Sequence, residues 1–187
     1  MTLDLDELLA REEIRDVMRR YVRGVDRFDL DAIRACYHPD ATDERGPYQG
    51  DVDGFIAYLD SDKGLRMFLR TTHSVTDHAV EVDGDSATCE SVTIAHHRLL
   101  DEHYLLGLRY LDRFERRNGE WRIARRKVAY DWAIRRAVAD SDELPGHFSQ
   151  GARGPGDLVY THLLAAFVSP EGPDGSPGSG RPCPSAP

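Results

Sequence analysis

TTHSVTDHAVEVDGDSATCESVTIAHHRLLDEHYLLGLRYLDRFERRNGEWRIARRKVAYDW, residues 71–132, is the stretch that decides the fold. Apolar and polar residues alternate along it with a period of two, which predicts strands over 71–82, 86–99, 103–116 and 121–132. Asp83-Gly84-Asp85 and Asn118-Gly119 break the alternation. Asn-Gly between two alternating runs predicts a tight hairpin, because both residues tolerate the positive φ that such a turn requires. The run therefore reads as an antiparallel meander of long strands. Trp121-Arg122-Ile123 and Val128-Ala129-Tyr130-Asp131-Trp132 alternate on different phases, which predicts a bulge between them that would re-aim Arg126.

Upstream the period changes. Leu8, Leu9, Ile14, Val17, Met18, Tyr21, Val22 and Val25 recur at three- and four-residue steps, which predicts an amphipathic helix from Leu5 to near Gly24. A second short helix is predicted over 29–37, stopped by His38-Pro39, and a third from Gly54 to Leu69, with a polar connection over 40–48 between them. Helices followed by a meander give an α+β fold, with the sheet wrapped over the first helix. A chain of 187 residues holds one such core, assigned here to 1–150. Downstream, 151–168 reads as an extension whose apolar run LVYTHLLAAFV forms a short helix on the sheet or on a neighbouring subunit. Residues 169–187 are rich in Gly, Pro and Ser and are expected to be disordered.

The formal charge of −9 repels phosphate backbones and no basic stripe is evident, so nucleic acid is not expected as a partner. No run approaches the roughly 18 apolar residues of a spanning helix, and the acidic N-terminus does not resemble a signal peptide. A membrane partner is therefore not expected. Cys36, Cys89 and Cys183 are odd in number and widely spaced, which suits reduced thiols in a cytoplasm and no structural metal.

An imidazole held by a carboxylate is an economical general base, because the carboxylate fixes the tautomer and stabilises the imidazolium that forms. Asp26, at the end of the first helix, and His73, at the start of the first long strand, are the candidate pair. Tyr21 lies in phase with Val17, Met18 and Val25 and reads equally as core or as a donor. His38, His78 and His103, beside turns or polar residues, are expected to be exposed. The arginines from Arg113 to Arg126 read as a solvated strand face. Adjacent His96 and His97 point to opposite faces of a strand, so a metal site there is not expected.

REEIRDVMRRYVRGVDRFDLDAIRACYHPDA, TTHSVTDHAVEVDGDSATCES and YLDRFERRNGEWRIARRKVAYDW resemble the SnoaL-like branch of the nuclear transport factor 2-like superfamily over roughly residues 5–135. The resemblance implies a cone-shaped α+β barrel, three helices on a curved antiparallel sheet around an apolar pocket. Its dehydratase and dehydrochlorinase members carry an Asp–His dyad at the positions of Asp26 and His73. It implies further catalytic candidates in Tyr21, five residues before Asp26, and in an arginine of the last strand, assigned to Arg126 with Arg125 and Arg135 in competition. His96 or His97 would supply a second pocket histidine; Tyr110 and Trp132 complete the candidate substrate contacts.

In function the resemblance implies a cofactor-independent lyase of dehydratase type, acting on a small, apolar, cyclic substrate. The same pocket would serve an isomerase or a polyketide-type cyclase, and a non-catalytic binding or subunit-assembly module is the reading from another class. Relatives also imply a homo-oligomer, trimer or dimer.

Overall fold

A computed structural model describes residues 4–164. The expected disordered tail, 169–187, and the end of the extension before it lie outside the described residues.

Helix α1 (Leu5–Arg27) begins where Asp4 accepts a hydrogen bond from the Glu7 amide at 2.7 Å. Its buried stripe is Ala10, Ile14, Val17, Met18, Tyr21, Gly24 and Val25. Each large side chain in that stripe contributes roughly 1.5–3 kcal/mol on burial, so packing and not propensity holds the helix. The helix runs one turn beyond the end expected at Gly24. That glycine does not end the helix. It admits a neighbour: a Cβ there would meet Ile33 Cγ1 at 2.9 Å and Asp29 O at 3.2 Å, both brought close by helix α2 (Leu30–Ala35). Gly24→Ala is expected to lower stability by about 1–3 kcal/mol through overpacking, read as a reduced urea midpoint. An unchanged midpoint would show that the helices can separate without cost.

Residues 40–48, expected as a polar connection, are mostly strand. β1 (Tyr37–Arg45) and β2 (Tyr48–Asp51) form an antiparallel hairpin, and β1 also pairs in parallel with the last strand. β1 escapes detection because Asp43 and Arg45 stand among its inward positions and pair with each other; the usual apolar alternation is missing. Helix α3 (Val52–Leu59), capped by Asp51, is shorter than the expected 54–69, and a 3-10 turn (Leu65–Met67) follows it. At Gly64 the chain lies so close to the end of α3 that a Cβ would meet Tyr58 O at 2.1 Å.

The meander is as expected, with longer strands: β3 (Arg70–Asp83), β4 (Ser86–Arg98), β5 (Glu102–Arg117) and β6 (Glu120–Ala137). Asn118 and Gly119 have φ of 54° and 81°, as the hairpin reading requires. The six strands form one curved, unclosed sheet in the order β2-β1-β6-β5-β4-β3, and the helices pack on its concave face. This is the α+β arrangement expected from the sequence, N-terminal helices on a curved sheet.

Bulges decide which side chains enter the concave face. Between the Arg113–Arg125 and Phe114–Ile123 pairs, Ala124 is unpaired, and the inward positions of β6 change from Trp121 and Ile123 to Arg126 and Val128. A second bulge, at Asp131 between the Leu108–Tyr130 and Gly107–Trp132 pairs, reverses the phase. The first is the bulge predicted from sequence. The second turns Trp132 to the convex face, where its indole lies across Gly107, a position at which a Cβ would meet Trp132 Nε1 at 2.1 Å.

The 151–164 segment meets the C-terminal end of α1, the start of α2 and the turn at 65–68. Buried Asp157 lies 3.1 Å from Arg27, the Tyr160 hydroxyl donates to Asp29 at 3.1 Å, and Arg153 Nη1 donates to the carbonyls of Leu65 and Phe68 at 2.7 Å each. The three histidines expected to be exposed are not. His38 is buried with its ring on the Glu115 carbonyl at 2.8 Å, His78 lies against Ser91 at 3.0 Å, and His103 against His96 at 2.8 Å. Among the described residues no helix is long and apolar enough to cross a membrane.

Candidate functional site

Between α1, the turn at 58–68 and the concave face of the sheet lies a cavity of about 440 Å³. Leu59, Leu65, Leu99 and Leu106, with Val25 and Phe68, make its walls mostly apolar.

At one end stand Asp26 and His73. The last turn of α1 presents Asp26 to the start of β3, and three donors converge on the carboxylate. His73 Nδ1 lies 2.7 Å from Oδ1, the Thr71 hydroxyl donates to the same oxygen at 3.0 Å, and the His73 backbone N–H donates to Oδ2 at 3.0 Å. Both side chains are nearly buried, 6% exposed for His73 and 13% for Asp26. A carboxylate only accepts, so Nδ1 carries the proton and Nε2 is left as the basic nitrogen facing the cavity.

His97 enters the cavity beside His73, with ring centroids 5.4 Å apart, and packs against Phe68 at 4.3 Å. His96 points to the convex face, where it stacks on His103. Neither ring nitrogen of His97 has a partner among the described residues. Burial, and then the neighbouring His73, push its pKa down to about 3. Unfolding exposes an imidazole of ordinary pKa 6.5, so below that pH the unfolded chain binds a proton the folded chain refuses, and stability falls with acid until about pH 3. His97→Leu is therefore expected to flatten the loss of stability between about pH 7 and about pH 4 in urea titrations; parallel curves for the two proteins would contradict this.

Tyr21 also lines the cavity, and its hydroxyl is buried without a partner among the described residues. Tyr110 stands beside it at a ring distance of 5.8 Å. Arg126, the candidate of the last strand, lies beneath them. It is 1% exposed, bound in a fork to Asp112 at 2.7 Å on both bonds, 3.3 Å from the Tyr37 hydroxyl, and stacked under the rings of Tyr21 and Tyr110 at 4.1 and 4.3 Å. It supports the cavity floor and does not line it. The arginines that do line the cavity are Arg135, one of the two competitors, and Arg45; Arg125 faces outward from β6. Trp132 is outside the lining.

Sequence reasoning missed Arg45 altogether. Its signal was the charged triplet Asp43-Glu44-Arg45, in which i and i+2 fall on one face of a strand, but this looks like a solvated turn until the strand is known. Among the described residues no cluster of three or more His, Cys, Asp or Glu side chains has the arrangement of a metal site.

The SnoaL-like domain family matches residues 6–127. No curated protein matches significantly. Among solved structures, a hexachlorocyclohexane dehydrochlorinase from Novosphingobium barchaimii aligns with a TM-score of 0.67 at 20% identity, over 76% of this chain and 99% of that one. A scytalone dehydratase-like protein from Novosphingobium aromaticivorans aligns at 0.62 and 19%, over 80% and 95%. An NTF2-like protein from the same organism aligns at 0.55 and 23%, over 70% and 92%. At these identities the structures establish the shared fold.

Proposed function

From the premise that this chain belongs to the SnoaL-like domain family of the NTF2-like superfamily, we propose that it is a cofactor-independent lyase of dehydratase type acting on a small, mostly apolar, cyclic molecule. The observation that carries the reading is the Asp26–His73 pair, 2.7 Å apart and opening on a mostly apolar cavity. Two of the structurally similar proteins bear dehydratase-type or dehydrochlorinase names, which supports elimination chemistry in preference to a binding module.

In this mechanism His73 Nε2 takes a proton from carbon, the C–H electron pair forms the new double bond, and the departing group leaves with its own pair. Asp26 stabilises the imidazolium and keeps the ring oriented. Tyr21, whose hydroxyl is uncommitted, supplies a proton to a departing hydroxyl. His97, neutral at every physiological pH, contributes shape and a weakly polar contact. Proximity in a dry cavity adds the orientation that a base in water lacks. An isomerase or cyclase would use the same base and differ only in where the electron pair ends.

The test is incubation of wild type and His73→Ala with a panel of hydroxylated steroids, terpenoids and polyketide intermediates, read by mass spectrometry. Loss of water or of another small group in the wild type alone supports the lyase; an isomeric shift moves the assignment to an isomerase or cyclase. Binding without turnover in both proteins would favour the binding module.

We propose also that the chain self-associates. Val92, Ile94, Trp132 and Ile134, 41–56% exposed, stand on the convex face and would be covered by a second copy of the chain. Light scattering of wild type against Trp132→Glu, expected to shift to lower mass, checks this.

A further inference from the structure

The cavity has a second polar end whose chemistry is the opposite of the dyad's. Arg45 reaches it from β1. Its Nε and Nη2 donate to the two oxygens of Asp43 at 2.6 Å each, and its guanidinium plane rests on the Phe55 ring at 4.1 Å. Asp43 is fully buried and takes a further hydrogen bond from the Tyr37 hydroxyl at 2.8 Å. The fork and the aromatic face fix the guanidinium in one plane, and Nη1 is left with no partner among the described residues. Arg45 is 13% exposed and is one of the residues that line the cavity. Around it stand Tyr21, Tyr58, Tyr110 and Tyr130, all lining the same space. Burial raises Tyr58 and Tyr130 above the ordinary phenol range, against the pull of the Arg45 charge.

A preorganised N–H on a nearly buried cation, in a cavity with apolar walls, meets the requirements for stabilising negative charge that develops during a reaction. We infer that Arg45 is the anion-binding residue of this cavity and that the substrate presents to it an oxygen able to become negative, a carbonyl or an acidic hydroxyl on a ring. This rests on the proposed role of the dyad as base. In the step so defined the C–H bond next to the carbonyl breaks and its proton goes to His73 Nε2. The C–H pair forms the carbon–carbon double bond, and the carbonyl π pair moves to oxygen, where Arg45 Nη1 donates to the enolate. The base and the N–H that takes up the charge thus line one cavity. Asp43 is the positioning residue: it holds the guanidinium through Nε and Nη2 and leaves Nη1 for the ligand.

The probe is 4-nitrophenol, whose neutral and ionised forms absorb at different wavelengths, so its ionisation when bound is read by spectrophotometric titration without turnover. Wild type should bind the phenolate about tenfold to a hundredfold more tightly than the phenol, lowering the probe's bound pKa by about one to two units. Asp43→Asn/Arg45→Gln, which replaces the ion pair by two hydrogen-bonded amides and removes both charges together, should abolish the preference. Arg45→Lys, a milder change that keeps charge but loses the fork, should reduce it to a few-fold. Lys63→Met and Arg135→Met test the other cations of the lining, both solvent-exposed, and should leave the preference in place. His73→Ala should also leave it, so that failure of the dyad as base and failure of this inference give different results. A probe that binds as the neutral phenol or does not bind, a preference that survives the loss of Arg45, or one that disappears only with His73, would each overturn the inference.

Discussion

His73→Ala is expected to lower kcat on the cognate substrate by about 10²–10⁴-fold while the protein stays folded, since positioned general-base catalysis contributes an effect of that size. The side chain occupies a cavity wall and, among the described residues, hydrogen-bonds only to Asp26, so its removal deletes the base without breaking the core. Asp26→Asn is the sharper version. The carboxylate accepts from three donors at 2.7–3.0 Å. An amide can accept only on its oxygen side, so either the His73 backbone N–H or the Nδ1 and Thr71 hydroxyl pair must face the amide nitrogen. When it is the pair, the imidazole flips its tautomer and Nε2 acquires the proton, and the base is lost although every atom stands nearly in place. Steady-state rates for the two variants should therefore fall by comparable factors and the double variant should be little worse than either, because the pair acts as a unit. Independent, multiplying losses would mean that the two residues serve different steps.

The second large effect is on stability. Asp112→Asn or Arg126→Met breaks an ion pair in which both side chains are 0% exposed. Removing one partner of such a pair leaves a buried charge uncompensated and costs about 3–5 kcal/mol, which corresponds to a fall in Tm of roughly 10 °C or more for a domain of this size. Replacing both together, as in Asp112→Leu/Arg126→Met, should recover much of the loss, since burying the pair carried its own desolvation cost. Calorimetry on the two single variants and the double variant decides this. Per folded molecule, turnover in Arg126→Met should stay within the range explained by a shifted Tyr21 ring. A full loss of turnover at unchanged stability would return Arg126 to the reacting atoms.

The two bulges of β6 account for the different fates of the arginines. Had the strand kept one phase, Arg126 and Trp132 would lie on the same face; the bulge at Asp131 separates them and brings Arg135 inward instead. A bulge is visible in sequence as a change of phase, and the one at Ala124 was. The one at Asp131 was not, because Tyr130, Asp131 and Trp132 mix aromatic and charged residues on both faces and leave no phase to read.

The sequence by itself determined the meander, its hairpin turns and the amphipathic first helix, because periodicity and turn chemistry are local properties of the chain; Asp26 and His73 were nominated by their residue types and by the family resemblance. It did not determine β1, whose inward positions carry charges that make sense only once each has found its partner, nor the length of α1, where Gly24 serves the close approach of α2 instead of ending the helix. Which histidine of an adjacent pair enters the cavity, which arginine is buried beneath it and which lines it were decided by strand phase, and phase is set by pairing between strands. The meeting of Asp26 with His73, and of Arg45 with Asp43 beside the same cavity, was likewise settled by tertiary structure, because a carboxylate becomes a positioning group only when the donors that converge on it come from elsewhere in the fold.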